Sequence, residues 1–225
     1  MEAFADTKTA PIFSIYRQRL SHSPDGIGKF YMGREIAKVM GHRGAGWLER
    51  PSREEEEKPG EIIKALDLQP DCVLADVGAG TGYMSFRIAP VLTHGKVLAV
   101  DIQPEMLEII DYLKREKHID NVEKILATPT NPNLLPESID VALMVDVYHE
   151  LEYPYEMMKQ IMKALKPGGK VVLAEYRGEN PFLMIKPLHK MTQRQVKKEM
   201  LAVGLIWCET KKILPQQHLM IFEKI

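Results

Sequence analysis

Cysteine is scarce: two residues in 225. Two thiols cannot build a disulfide framework. Cys72 opens one apolar run and Cys208 sits inside another, so both read as buried and reduced. Charge of one sign is missing too, with 30 Lys and Arg against 31 Asp and Glu and a net charge of -1. Without a basic excess there is no electrostatic track for nucleic acid and no pull toward an anionic membrane. No apolar stretch approaches the ~20 residues a membrane-spanning helix needs. The opening "MEAFADTKTAPIFSIYRQ" lacks the basic start and apolar centre of a secretory leader. Metal-ligand spacings are absent as well: seven histidines occur, but none in HExxH, and no cysteine cluster accompanies them. The expectation is a cytoplasmic protein with no resident metal, no nucleic-acid partner and no membrane contact.

What is present is alternation. Short apolar runs at 72–78, 96–102, 122–127, 138–147 and 170–176 are separated by stretches with apolar residues at helical spacing, notably 81–91, 104–117 and 154–164. Pro104 stands where a helix begins, and Pro167 with two glycines stands past the end of another. Strands alternating with helices predict a parallel sheet with right-handed crossovers, buried on both faces. After a helix over 193–203 the alternation breaks. "GLIWCETKKIL" and "HLMIFEKI" are too close together for a helical crossover, so they predict an antiparallel pair closing the sheet. "REEEE" at 53–57 reads as a solvated face leading into the helix at "EIIKAL".

Where the first of these strands ends stands "VLADVGAGTGYMSF", 73–86, with three glycines in five residues. Glycine lets a ligand approach the main chain, and a strand-to-helix turn offers unpaired N–H groups at the positive helix end. The dinucleotide fingerprint needs a glycine at 83, and Tyr83 is there instead. The spacing is Asp76-x-Gly78-x-Gly80-x-Gly82, with Asp101 about twenty residues on, at the end of the next strand, where a carboxylate accepts ribose hydroxyls. Two carboxylates flanking the loop suit a cationic, sugar-bearing cofactor better than a pyrophosphate.

This arrangement resembles the class I S-adenosylmethionine-dependent methyltransferases. "LADVGAGTG" is similar to their first motif, "LAVDI" to their second, and "LKPGGKVVLAEY" to the segment entering their fifth strand; the resemblance covers about 56–225. It implies a doubly wound, Rossmann-like, seven-stranded, mostly parallel α/β sheet with a C-terminal antiparallel hairpin. It further implies S-adenosylmethionine as cofactor. Asp76 would sit under the methionine amino group or order the loop. Gly78, Gly80 and Gly82 would admit the cofactor to the backbone, Asp101 would hold the ribose, and Ile102 would pack on adenine. Thr128 stands where relatives often carry an acid for the adenine amino group, with Asn131 and Asn133 as substitutes.

The loop "VDVYHEL" after the fourth strand borders the methyl group in this fold. Asp146 is assigned there to the cofactor, and Tyr148 and His149 to catalysis, with His149 as a general base of ordinary near-neutral pKa. Glu150 either orients His149 or starts the next helix. Residues 1–55 read as a helical lid segment, in which Tyr31, Arg34 and Trp47 reach the substrate. Tyr176, with Glu175, Arg177 and His189, borders the acceptor pocket. The expected activity is methyl transfer to a small molecule. A protein or RNA acceptor, a catalytically silent scaffold, and monomer or homodimer all stay open.

Overall fold

The computed structural model describes residues 15–224; the first fourteen residues of the expected lid lie outside the described residues. Seven strands form the main sheet: β4 (Val73–Val77), β5 (Lys96–Asp101), β6 (Val122–Leu126), β7 (Ile139–Val145), β8 (Leu165–Tyr176), β9 (Leu205–Lys211) and β10 (Gln217–Lys224). Their order is β6-β5-β4-β7-β8-β10-β9. β4 to β8 pair in parallel, and β10 runs antiparallel between β8 and β9. The chain reverses its winding between β4 and β7, and at that switch the strand ends open a crevice.

Side-chain alternation splits the core into two layers. Leu74, Val97, Ala99 and Leu143 face Ile62 of α3 (Pro59–Leu66), Ile88 of α4 (Tyr83–Ile88) and Ile110 of α5 (Pro104–Lys117). Ala75, Val100 and Met144 face Met158 and Ile161 of α6 (Pro154–Ala164) and Val196 and Met200 of α7 (Gln193–Val203). The helices are defined by local chemistry. Proline occupies the first turn of α5 and α6, where no N–H is needed. In α7 the Thr192 side chain accepts the Gln195 N–H at 3.2 Å, and Gly204, at φ 93°, closes the other end. No described helix is long and apolar enough to cross a membrane.

The N-terminal segment departs from the helical lid expected. Its first part is a three-stranded antiparallel meander, β1 (Tyr16–Gln18), β2 (Gly26–Tyr31) and β3 (Arg34–Ala37). The meander packs beside α6 and α7: Tyr16 hydrogen-bonds Glu156, the Lys29 ammonium lies 3.0 Å from the Tyr153 ring centroid, and Arg34 pairs with Glu199. A 3-10 turn (His42–Gly44) and two short helices follow, α1 (Ala45–Leu48) and α2 (Arg53–Glu56). Residues 26–31 are buried or half-buried throughout, with no solvent face of the kind an amphipathic helix needs, and the glycines at 26, 28 and 33 weaken any helix.

Two further expectations fail for the same kind of reason. Cys208 is exposed, because β9 is an edge strand with one face in solvent; Cys72 is buried. The 53–57 run is not wholly solvated, since Arg53 and Glu57 are both buried and paired at 2.8 Å.

Candidate cofactor cleft and adjoining cavity

The glycine turn is held against β5 by its own backbone. Gly78 and Ala79 both donate to the Val100 carbonyl, at 2.8 and 3.0 Å. Gly78 has φ 74°, and a Cβ there would lie 2.2 Å from a Val147 methyl; at Gly80, φ 55°, it would meet Leu48 at 2.7 Å. The turn is therefore restricted to glycine by both conformation and space. Asp101, buried at the end of β5, accepts Gly80 N–H through Oδ2 and Gln103 N–H through Oδ1, both at 2.9 Å. Burial raises its carboxyl above the usual range, partly offset by those N–H groups. Gly78, Gly80, Asp101, Ile102 and Gln103 line one side of a cleft, and Val145, Asp146, Glu150 and Met157 line another.

Asp146 sits where this cleft meets a second cavity and lines both. Its backbone is left-handed, at φ 53°, a conformation that aspartate adopts more readily than most non-glycine residues. Oδ2 accepts from Gln217 Nε2 at 2.6 Å, while buried Oδ1 has no hydrogen-bond partner among the described residues. Burial, then the charges of Glu57 and Glu175, push its carboxyl well above its ordinary value. An acceptor in that state is completed by a ligand donor or cation.

The second cavity is lined by Trp47, Arg50, Tyr176, His149, Glu150 and His189, among others. On one wall Glu57 accepts from Arg50 at 2.5 Å, from Arg53 at 2.8 Å and from Tyr176 OH at 2.9 Å. On the other, His149 Nδ1 lies 2.6 Å from Glu175 Oε2, and His149 Nε2 lies 3.0 Å from His189 Nδ1. Burial alone lowers the imidazole's pKa, but the Glu175 charge and the Glu150 and Glu175 hydrogen bonds outweigh it and hold His149 at about 10. Burial likewise raises Glu150, yet its hydrogen bonds to His149 and His189 pull it to about 2. His149 is thus protonated at neutral pH, not the free base of near-neutral pKa expected from the sequence.

The segment 40–57 bridges the cleft. Met40 N–H donates to Glu150, His42 N–H donates to Gln103, Glu49 meets Thr81, and Glu54 accepts from Tyr83 OH. Arg53 of this segment and Arg87 of α4 both stack on Tyr83, 4.1 and 3.5 Å from its ring centroid.

Comparison with known proteins agrees with this geometry. A family model described as a methyltransferase domain matches residues 75–171. A demethylmenaquinone methyltransferase of Tropheryma whipplei is 31% identical over 54% of this chain and 48% of its own. A tRNA U34 carboxymethyltransferase of Helicobacter acinonychis is 27% identical over 66% of this chain and 58% of its own. The chain spans about half the length of the curated relatives it matches. In fold, the chain is similar to a SAM-dependent methyltransferase of Aquifex aeolicus, with a TM-score of 0.78 at 20% identity over 83% of this chain and all of that one. The sheet is that of the class I methyltransferases, whose cofactor is S-adenosylmethionine.

Around the cleft, the residues singled out from sequence separate. Gly78, Gly80, Asp101, Ile102 and Asp146 line it. Gly82 stands behind it as the left-handed N-cap of α4, and Asp76 is buried with its carboxylate on Ser85 Oγ at 2.6 Å, off the lining. Thr128 is exposed in a turn closed on Asn131, and its neighbours Ala127 and Pro129 line the cleft instead. His149, Trp47 and Tyr176 line the second cavity.

Three assignments are corrected. Tyr148 is buried with its hydroxyl on Glu199 at 2.7 Å, so it faces the core rather than the reaction. Tyr31 is buried against Tyr16, with ring centroids 5.4 Å apart, and lines neither cavity. Arg34 is consumed by Glu199, at 2.8 and 3.1 Å, and touches the site only through the His149 carbonyl at 3.1 Å. Sequence reasoning missed Glu57. The Arg53/Glu57 spacing of four, with Arg50 one turn earlier, was the available signal.

Proposed function

We propose that the protein is an S-adenosylmethionine-dependent methyltransferase whose acceptor is a small molecule held in the second cavity. The observation that carries the reading is Asp146, whose buried Oδ1 has no partner among the described residues at the junction of the glycine-lined cleft and a second, partly open cavity. The cofactor supplies an electrophilic methyl group and its own leaving group.

The cleft residues fit that cofactor. Each Asp101 oxygen spends one lone pair on a backbone N–H and keeps another for a ribose hydroxyl. Ile102, partly exposed in the cleft, offers an apolar surface to the base. Asp146 Oδ1 accepts from the cationic amino-acid end, and the Cβ-free faces of Gly78 and Gly80 leave the main chain open to close approach. The chain's contribution is mostly placement, which can be worth ~7–11 kcal/mol when donor and acceptor are held in line. The bridging segment 40–57 excludes water from the junction. A cavity walled by Trp47 and Tyr176 on one side and charged groups on the other suits a small aromatic or polar acceptor. The name of the Tropheryma whipplei relative supports a small-molecule acceptor, and the near-neutral net charge leaves no basic excess of the kind that favours RNA.

The test is methyl transfer from labelled S-adenosylmethionine to pooled thiols, phenols, amines and quinols, beside total RNA and protein. Label on a small molecule, lost in Asp146→Ala, supports the reading. Calorimetry showing no S-adenosylmethionine binding, or label on RNA or protein alone, overturns it.

A further inference from the structure

His149, Glu150 and His189 present three donor atoms to a common point on the wall of the second cavity. His149 Nε2 and His189 Nδ1 are 3.0 Å apart, His189 Nδ1 and Glu150 Oε1 are 3.3 Å apart, and His149 Nε2 and Glu150 Oε1 are 3.7 Å apart. A circle through three atoms so spaced has a radius of about 1.9–2.0 Å, so an ion at ordinary bond lengths of ~2.0–2.2 Å sits just out of their plane. We infer that these three residues form a binding site for a first-row divalent transition-metal ion, with an open coordination position toward the acceptor cavity.

The surroundings are those of a metal site. Each imidazole has a carboxylate behind its far nitrogen: Glu175 Oε2 is 2.6 Å from His149 Nδ1, and Asp25 Oδ2 is 3.0 Å from His189 Nε2, off the line of a hydrogen bond. Glu175, hydrogen-bonded to His149 Nδ1, orients that ring with Nε2 toward the metal, and Asp25 places a negative charge behind His189. His149 Nε2 and His189 Nδ1 share a proton across 3.0 Å, and an ion bound there takes the place of that proton and releases it. Glu150 is held by its second oxygen, which accepts Met40 N–H at 3.0 Å, leaving Oε1 for the ion. Charge also closes. Glu150, Glu175 and Asp25 carry three negative charges; a divalent ion and Lys186, 2.6 Å from Asp25, carry three positive ones. Two imidazoles favour an ion of the zinc, cobalt or iron type over magnesium or calcium.

The sequence hides this site because its ligands are adjacent residues on the turn after β7 and a third forty positions later, on the turn after β8. Resting on the proposed function, the open position restricts the acceptor to molecules with an oxygen, sulfur or nitrogen able to ligate the ion beside the cleft.

The test uses the full chain, stripped with chelator and titrated with Co²⁺, Zn²⁺ and Mg²⁺ without cofactor or acceptor, so its failure is distinct from failure of methyl transfer. One Co²⁺ per chain, with the intense visible absorption of a four- or five-coordinate site and displaced by Zn²⁺ but not by Mg²⁺, is expected. His189→Ala and the isosteric Glu150→Gln should each weaken binding at least 100-fold, and Glu175→Gln about 10–100-fold. Cys208→Ser, at the exposed thiol, should leave it unchanged. Calorimetric binding of S-adenosylhomocysteine to each variant reports that it is folded. No Co²⁺ binding below millimolar concentration overturns the inference, as does binding that survives in both His189→Ala and Glu150→Gln.

Discussion

The cleft at the ends of β4 and β5 is assembled from main chain, whereas the cavity beside it is assembled from charged side chains of distant segments. In the cleft, Gly78, Gly80 and the Val100 carbonyl set the shape, and Asp101 ties the turn with two backbone hydrogen bonds. In the cavity, Glu57 joins Arg50, Arg53 and Tyr176, and Glu175 joins Tyr148 and His149. Backbone geometry tolerates almost no substitution but needs few residues. A charged wall is costly to bury and depends on every partner being present, yet its chemistry can be changed one side chain at a time. A general cofactor suits the first, and a particular acceptor suits the second.

If that contrast is right, the largest loss of stability lies in the cavity wall. Glu57→Ala strands the buried Arg53 guanidinium and the Tyr176 hydroxyl and leaves half-buried Arg50 with Glu56 as its one carboxylate partner, and should cost about 3–5 kcal/mol in urea unfolding. A loss below 1 kcal/mol would show that the wall rearranges freely. In the cleft, Gly78→Ala drives a Cβ into Val147 at positive φ. S-adenosylhomocysteine affinity should fall about 100-fold or more, or about 2.7 kcal/mol, while the far-ultraviolet spectrum is kept. Asp101→Ala should weaken the same binding by about 1.5–3 kcal/mol; unchanged affinity by calorimetry would remove Asp101 from the site.

Asp76 tests whether the cleft's supporting carboxylate is structural. Burial raises it to about 6, against Ser85 and Arg53, which lower it. With a folded pKa above the unfolded value, its stabilising contribution is complete below pH 3.8 and is lost as pH rises through about 6. Two units correspond to about 2–3 kcal/mol. Asp76→Asn keeps an acceptor for Ser85 Oγ and removes the titration. Relative to wild type, it should gain about 2 kcal/mol of unfolding free energy between pH 4.5 and pH 7.5. A difference that stays flat across that range would mean the buried carboxylate does not titrate there.

The same division explains what could be read from the sequence. The sheet, its hairpin and the glycine turn were legible because each depends on local signals: apolar strands alternating with helices, Pro104 at a helix start, and glycines where φ is positive. The N-terminal meander was illegible because 26–37 is short and its buried residues meet partners more than a hundred positions away, as Arg34 meets Glu199. Tyr148 and Tyr31 were misassigned for a related reason. An aromatic next to a motif looks available, and only packing shows that its ring fills the core. Glu57 shows the reverse, a charge in a charged run that long-range pairing draws inside.

The smallest expected effect is at Thr128, and it sharpens the comparison from the cleft's far end. The resemblance places Thr128 where an acid would read the adenine amino group. In the fold its hydroxyl accepts Asn131 N–H at 3.1 Å and the residue is exposed, while Ala127 and Pro129 present the cleft surface. If cofactor recognition in this cleft belongs to backbone and shape, Thr128→Ala should change S-adenosylhomocysteine affinity by less than about 0.3 kcal/mol and stability by about 0.5 kcal/mol at most, as for other exposed turn positions. A loss of tenfold or more would place the side chain against the base and make this edge of the cleft side-chain-built, like the cavity. Pairing the variant with Ala127→Val separates the two readings. A larger side chain at 127 should obstruct the cleft and weaken binding, whereas Thr128→Ala should not.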